Sequence, residues 1–143
     1  MARGIPADVI RHFQAIPLFA GLSQKELRAV VQLASEVDEP AGTTLIQEGD
    51  RGEELFVLAS GTARVSRKGR TIGQIGTGDF FGELAMLTHA PRNATIVTTS
   101  PVRLFVVGAR DFRRIVEGNS RMAVAMLSAV ATRLRETERS VLS

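Results

Sequence analysis

Residues 81–98 read FGELAMLTHAPRNATIVT, a glycine-glutamate step into a short apolar turn, followed by an arginine in a loop. Gly82 permits close approach of the backbone to a guest, because no side chain intervenes. The amides of Glu83, Leu84 and Ala85 are then expected to stand as free donors at the start of a helical turn, a seat for a phosphate. Arg92 supplies a full positive charge and paired donors to the same anion. Glu83 does not suit an anion, since a carboxylate beside a phosphate is repulsive, and a sugar hydroxyl is the donor that suits it. Phosphate and hydroxyl on one small ligand describe a nucleotide. Two plainer readings stand beside this one: Arg92 in a structural ion pair with Asp79 or Glu83, and Glu83 as a helix-capping partner with no ligand.

A second block lies upstream. Residues 45–61, LIQEGDRGEELFVLASG, form a glycine-punctuated turn (Gly49, Asp50, Gly52) feeding the apolar run 55–58, which ends at Gly61. The two blocks, in this order and at this distance, resemble the signatures of the cyclic-nucleotide-binding domain family, with 81–95 as its phosphate-binding cassette. The resemblance covers nearly the whole chain and implies an antiparallel β-roll, or jelly-roll barrel, flanked by N-terminal helices and a C-terminal helix pair. The class is α+β, mainly β. It implies ligand contacts at Gly82, Glu83, Leu84, Ala85, Arg92, Asn93 and Ala94, with Glu83 accepting from the ribose 2′-hydroxyl and Arg92 holding the exocyclic phosphate oxygens. Gly49, Asp50, Gly52 and Gly61 are read as structural. Asn93 departs from the family pattern, in which alanine beside the arginine goes with cAMP and threonine helps to hold the guanine amino group. cAMP is favoured over cGMP. The family often closes the pocket with an aromatic side chain from the last helix. This chain has no Trp or Tyr, so the base lid falls to Arg133, Leu134 or Arg135. An arginine plane can stack on a purine.

Composition sets the bounds. A chain of 143 residues with 44% hydrophobic and 23% charged residues is expected to form one soluble globular domain. Cysteine is absent, which excludes disulfides and thiolate metal sites. The two histidines, His12 and His89, are far apart, so no zinc site is expected, and His89 reads as an exposed loop residue. The first residues, MARGIPADVIRHFQAI, are broken by charges and lack the apolar core of a signal peptide. No apolar run reaches the roughly 20 residues of a membrane span. A cytoplasmic protein with no membrane partner is expected. The net charge of +3 comes from residues 110–143, with 7 arginines against 4 acids, because residues 1–109 balance at 11 each. No nucleic-acid footprint is visible in that excess.

The periodicity gives the element order. Helical spacing predicts a short helix from Pro6 to Phe13. Ser23 and Glu26 form a capping box before a helix carrying Leu27, Val30, Val31 and Ala34. Pro40 and Gly42 close an N-terminal helical segment, 1–40. Short apolar runs at 43–47, 54–60, 62–67, 70–75, 94–99 and 102–107 predict strands within 41–108, with a hairpin turn at Lys68-Gly69. Residues 109–143 return to helix: one from Ala109 to Val116, stopped at Gly118-Asn119, and a long one from Ser120 to Arg139. The latter's series Ala123, Leu127, Val130, Leu134, Thr137 and Val141 alternates spacings of four and three, the seam of a packed helix.

A non-catalytic regulatory sensor is the expected function, relaying occupancy through the C-terminal helices to an effector that the sequence does not specify. The long helix is the expected surface for a homodimer. Alternatives are the sensor fragment of a cAMP-responsive transcription factor, a domain from a channel or transporter, and a ligand-free scaffold of the same fold. Enzyme chemistry is not expected: the sequence offers no nucleophile–base pair, no metal set, and no base near Arg92 except Glu83.

Overall fold

The computed structural model describes residues 7–15, 19–82 and 88–142, without the side chains of 7, 8, 126, 129, 133, 134 and 136–142. It divides into two compact units, a strand unit over 33–112 and a helical unit built from 1–32 and 113–143. The strand unit holds β1 (Ser35–Glu39), β2 (Thr44–Ile46), β3 (Glu54–Ser60), β4 (Ala63–Arg67), β5 (Arg70–Ile75), β6 (Phe80–Phe81), β7 (Thr95–Thr98) and β8 (Val102–Gly108). They form two four-stranded sheets, in the orders β1-β8-β3-β6 and β2-β7-β4-β5. Every pairing is antiparallel, as expected of the β-roll.

β7, TIVT, alternates in burial as a strand with one covered face does, whereas β3 buries Val57, Leu58 and Ala59 in succession and β6 buries both its phenylalanines. Both sheets contribute to one core: Leu58, Phe81, Val102 and Leu104 from the first, Ile46, Ala63 and Ile96 from the second. Two strands were not anticipated. β1, SEVDE, lies inside the stretch read as N-terminal helices. It carries three acids and mostly exposed positions, so its sequence has almost no apolar signal. It is a strand because it adds to the edge of β8, with Val37 opposite Leu104. β6 is only two residues long, paired to Phe56 and Val57 of β3.

The helical unit contains α1 (Ala7–Gln14), α2 (Gln24–Leu33) and α4 (Ser120–Leu142), while α3 (Ala109–Glu117) begins in the strand unit. The expected capping box is present: Ser23 N–H donates to Glu26 Oε1 at 2.8 Å, and Glu26 N–H to Ser23 Oγ at 3.1 Å. Asn119, read as part of a helix stop, also caps the next helix, its Oδ1 accepting from Met122 N–H at 3.1 Å. Its Nδ2 donates to Glu26 Oε2, so one side chain ties the start of α4 to α2. Phe13 and Phe19, both fully buried, pack at a centroid distance of 5.4 Å. Along the α4 series, Ala123 and Val130 are half-buried and Leu127 is 70% exposed, while among the described side chains of the helix the buried one is Met122. Leu134, Thr137 and Val141 lie outside the described side chains.

Candidate functional site

Among the described residues of the strand unit, Arg92 is one of two buried polar residues, at 6% exposure. Burying a guanidinium demands partners for its donors, and three sequence-distant groups provide them. Nη1 donates to the Gly82 carbonyl at 3.1 Å; Nη2 donates to the Glu54 carbonyl at 3.3 Å and to Glu54 Oε2 at 3.1 Å. The carboxylate paired with Arg92 is therefore that of Glu54, at the head of β3. The alternative partner Asp79 instead accepts from Gly76 N–H at 2.8 Å, fixing the turn before β6. Beneath the guanidinium lies the Phe56 ring, 5.8 Å from Cζ, itself stacked on Phe81 at 5.0 Å. A cation over an aromatic face is attracted by the ring quadrupole.

Two glycines make this seat possible. Gly82 has φ +91°, and a Cβ there would stand 2.6 Å from the Glu54 carbonyl and 3.0 Å from Arg92 Nη1. Only glycine satisfies both the left-handed backbone and the close approach. At Gly52 a Cβ would come within 2.8 Å of Arg92 Nη2. Its structural role is thus clearance for the guanidinium. The main chain fixes Arg92 as well: its N–H donates to the Asp50 carbonyl and its carbonyl accepts from Gly49 N–H, both at 2.8 Å. The two sequence blocks therefore meet at Arg92.

Glu83, Leu84 and Ala85 lie outside the described residues. Asn93 is exposed, and its carbonyl accepts from Arg67 Nε at 2.9 Å. Ala94 is buried, at 7% exposure. His89 is exposed, has φ +58°, and sets Nδ1 2.9 Å from Glu53 Oε1. Arg135 is exposed on α4, and the side chains of Arg133 and Leu134 lie outside the described residues. Among the described residues no cluster of His, Asp and Glu suits a metal ion. Glu54 and Phe56 were not anticipated. Glu54 lies 38 residues before Arg92, and no local pattern announces that contact.

Residues 36–119 match the family model of the cyclic nucleotide-binding domain. The chain is 34% identical over 99 residues to a cAMP-dependent protein kinase regulatory subunit of Yarrowia lipolytica, which covers 69% of this chain and 26% of that one. It is 35% identical over 96 residues to a cGMP-dependent protein kinase of Caenorhabditis briggsae, covering 67% and 13%. Among solved structures, the Thermus thermophilus catabolite activator protein superposes with a TM-score of 0.79 at 28% identity, over 87% of this chain and 61% of that one. This chain thus spans about a quarter or less of the two kinase relatives.

Proposed function

This chain belongs to the cyclic nucleotide-binding domain family, and we propose that it binds cAMP at Arg92 as a non-catalytic regulatory sensor. The observation that carries this reading is the seat of Arg92. A guanidinium is held in the strand unit by two neutral carbonyls and one carboxylate. That carboxylate belongs to a side chain half exposed to water, whereas the Arg92 side chain is 5% exposed. An incoming phosphate can take the place of the Glu54 carboxylate, which is free to turn outward. The amides of 83–85 complete the phosphate seat, Glu83 takes the ribose 2′-hydroxyl, and Asn93 and Ala94 line its edge. Arg133, Leu134 or Arg135 covers the base. The preference for cAMP over cGMP is the finer part of the proposal. The name of the kinase regulatory relative supports it, and that of the cGMP-dependent relative, equally similar, weighs on the other side.

Removing one member of a desolvated ion pair costs on the order of 3–5 kcal/mol. Arg92→Ala is therefore expected to weaken cAMP binding about 100-fold or more. Titration calorimetry with cAMP and cGMP on both proteins tests the reading. A loss below about threefold would remove the phosphate from Arg92, and a tenfold preference for cGMP would reverse the choice of base.

Occupancy is proposed to pass to the C-terminal helices, with α4 as the surface of a homodimer and an effector beyond it. A second reading is favoured by the catabolite activator match, which extends over 87% of this chain. In it the chain is the sensor portion of a transcription factor. Both readings share the site and differ only in what α4 is joined to.

A further inference from the structure

Between Glu54 and Asp79 the sequence contains no acid, yet it contains Arg64, Arg67, Lys68 and Arg70. All four are exposed on the β4–β5 hairpin. Whole-chain charge hides this, because the acids that balance residues 1–109 lie elsewhere. Arg67 and Arg70 stand directly opposite each other in the ladder, where like charges repel. Lys68, at the turn, has φ +53°, a region that a residue with a side chain enters at some cost. Among the described residues none of the four side chains pairs with a carboxylate. Glu48 Oε1 accepts from the main-chain N–H of Lys68 at 2.9 Å, and Arg67 Nε is held by the Asn93 carbonyl. The hairpin tip thus carries Arg67, Lys68 and Arg70, and Arg64 stands farther along β4, opposite Gln74.

The ladder between β4 and β5 is irregular beside this cluster. Its register passes from Val65 opposite Gly73 to Ser66 opposite Thr71, so Ile72 has no partner. Ile72 is 53% exposed. β5 is also the edge of its sheet. Charges and a bulge are common means of blunting an edge strand, and that purpose would be served as well by a polar residue at 72. An exposed isoleucine two residues after Arg70 on the same hairpin matches a different environment, in which anionic headgroups meet the charges and the apolar side chain enters the acyl boundary. A soluble acidic peptide would leave Ile72 in water. A single-stranded nucleic acid would find no aromatic side chain for stacking on this hairpin, and the phosphates of a duplex would leave Ile72 in water. We propose that the β4–β5 hairpin docks on an anionic lipid surface, through Arg64, Arg67, Lys68 and Arg70 with Ile72 inserted. This contact does not require a spanning segment, and no helix among the described residues is long and apolar enough to cross a membrane.

Vesicle co-sedimentation of the whole chain tests the proposal, using phosphatidylcholine vesicles with and without phosphatidylserine. Binding is expected only to the anionic vesicles, and it should fall as salt shortens the Debye length. Replacing Arg64, Arg67 and Arg70 by glutamine should weaken partition roughly fivefold per cation removed. Ile72→Ser should lower vesicle binding about tenfold while leaving binding to soluble polyglutamate unchanged. Circular dichroism checks each fold, and the single variants Arg64→Gln and Ile72→Ser decide the matter if the triple variant does not fold. The proposal is overturned if the folded wild type ignores anionic vesicles at low salt, or if Arg64→Gln binds them as tightly as wild type. Equal vesicle binding by Ile72→Ser and wild type would also overturn it, since charge alone would then hold the surface with no insertion at residue 72. Arg64 and Ile72 lie outside the Arg92 seat, whereas Arg67 bonds the Asn93 carbonyl, so the single variants Arg64→Gln and Ile72→Ser let nucleotide binding and vesicle binding fail separately.

Discussion

At Arg92 the energetics turn on an asymmetry between two partners. The guanidinium is buried, and the Glu54 carboxylate that meets it is half in water. Replacing the acid by its amide keeps the shape and removes only the competing charge, while the carbonyls of Gly82 and Glu54 still hold the cation. An ion pair with one screened member is worth about 0.2–1 kcal/mol. Glu54→Gln should therefore strengthen cAMP binding by roughly up to fivefold, measured by calorimetry beside the wild type. Weaker binding would mean that Glu54 aims Arg92 and does not compete with the phosphate. Arg92 and Gly82 were legible in the sequence because both lie in one short motif whose residue types suit an anion. Glu54 and Phe56 were not, since only the pairing of β3 with β6 and β8 brings them under residue 92. Gly52 was legible as a glycine of a family block, but not as the clearance beneath a guanidinium.

Local elements were legible wherever their own residues complete the structure. The Ser23–Glu26 box needs nothing outside its four residues, whereas β1 needs β8 and could not be read from SEVDE. The box also gives the helical unit a dependence on pH. The Ser23 main-chain N–H donating to Glu26 holds its carboxyl below the ordinary 4.5, assisted by Ser23 Oγ and, more weakly, by the Arg121 guanidinium at 4.0 Å, against a smaller upward push from burial. A carboxylate with a folded pKa below its unfolded one stabilises fully above the unfolded value. That contribution is lost as pH falls through the folded value. Glu26→Gln should thus melt a few degrees below wild type at neutral pH, and the gap should narrow below about pH 4.5, the ordinary carboxylate value. Thermal melts at both pH values measure this. A gap that stays constant would assign the effect to the Asn119 contact, which a glutamine oxygen could retain or lose at any pH.

At the scale of the whole molecule, the two most exposed large apolar side chains among the described residues both stand on α4. The spacing of four and three predicts a covered seam, but Leu127 is 70% exposed and Val124 61%. A helix carrying such residues in water gains by pairing with another apolar face, at about 25 cal/mol per Å² covered. A second copy of α4 satisfies this without any new sequence, because a twofold interface repeats the same patch on both sides. Leu127→Glu removes that apolar area from both copies at once and buries two like charges. Self-association measured by sedimentation equilibrium should weaken by at least about a hundredfold. If α4 also relays nucleotide occupancy, cAMP must shift the wild-type dimer constant, and dimerisation must shift cAMP affinity by the same factor. In Leu127→Glu the dependence of cAMP affinity on protein concentration should vanish while binding at low concentration is kept. A wild-type chain that stays monomeric at every concentration, with or without nucleotide, would instead require α4 to signal through a different partner.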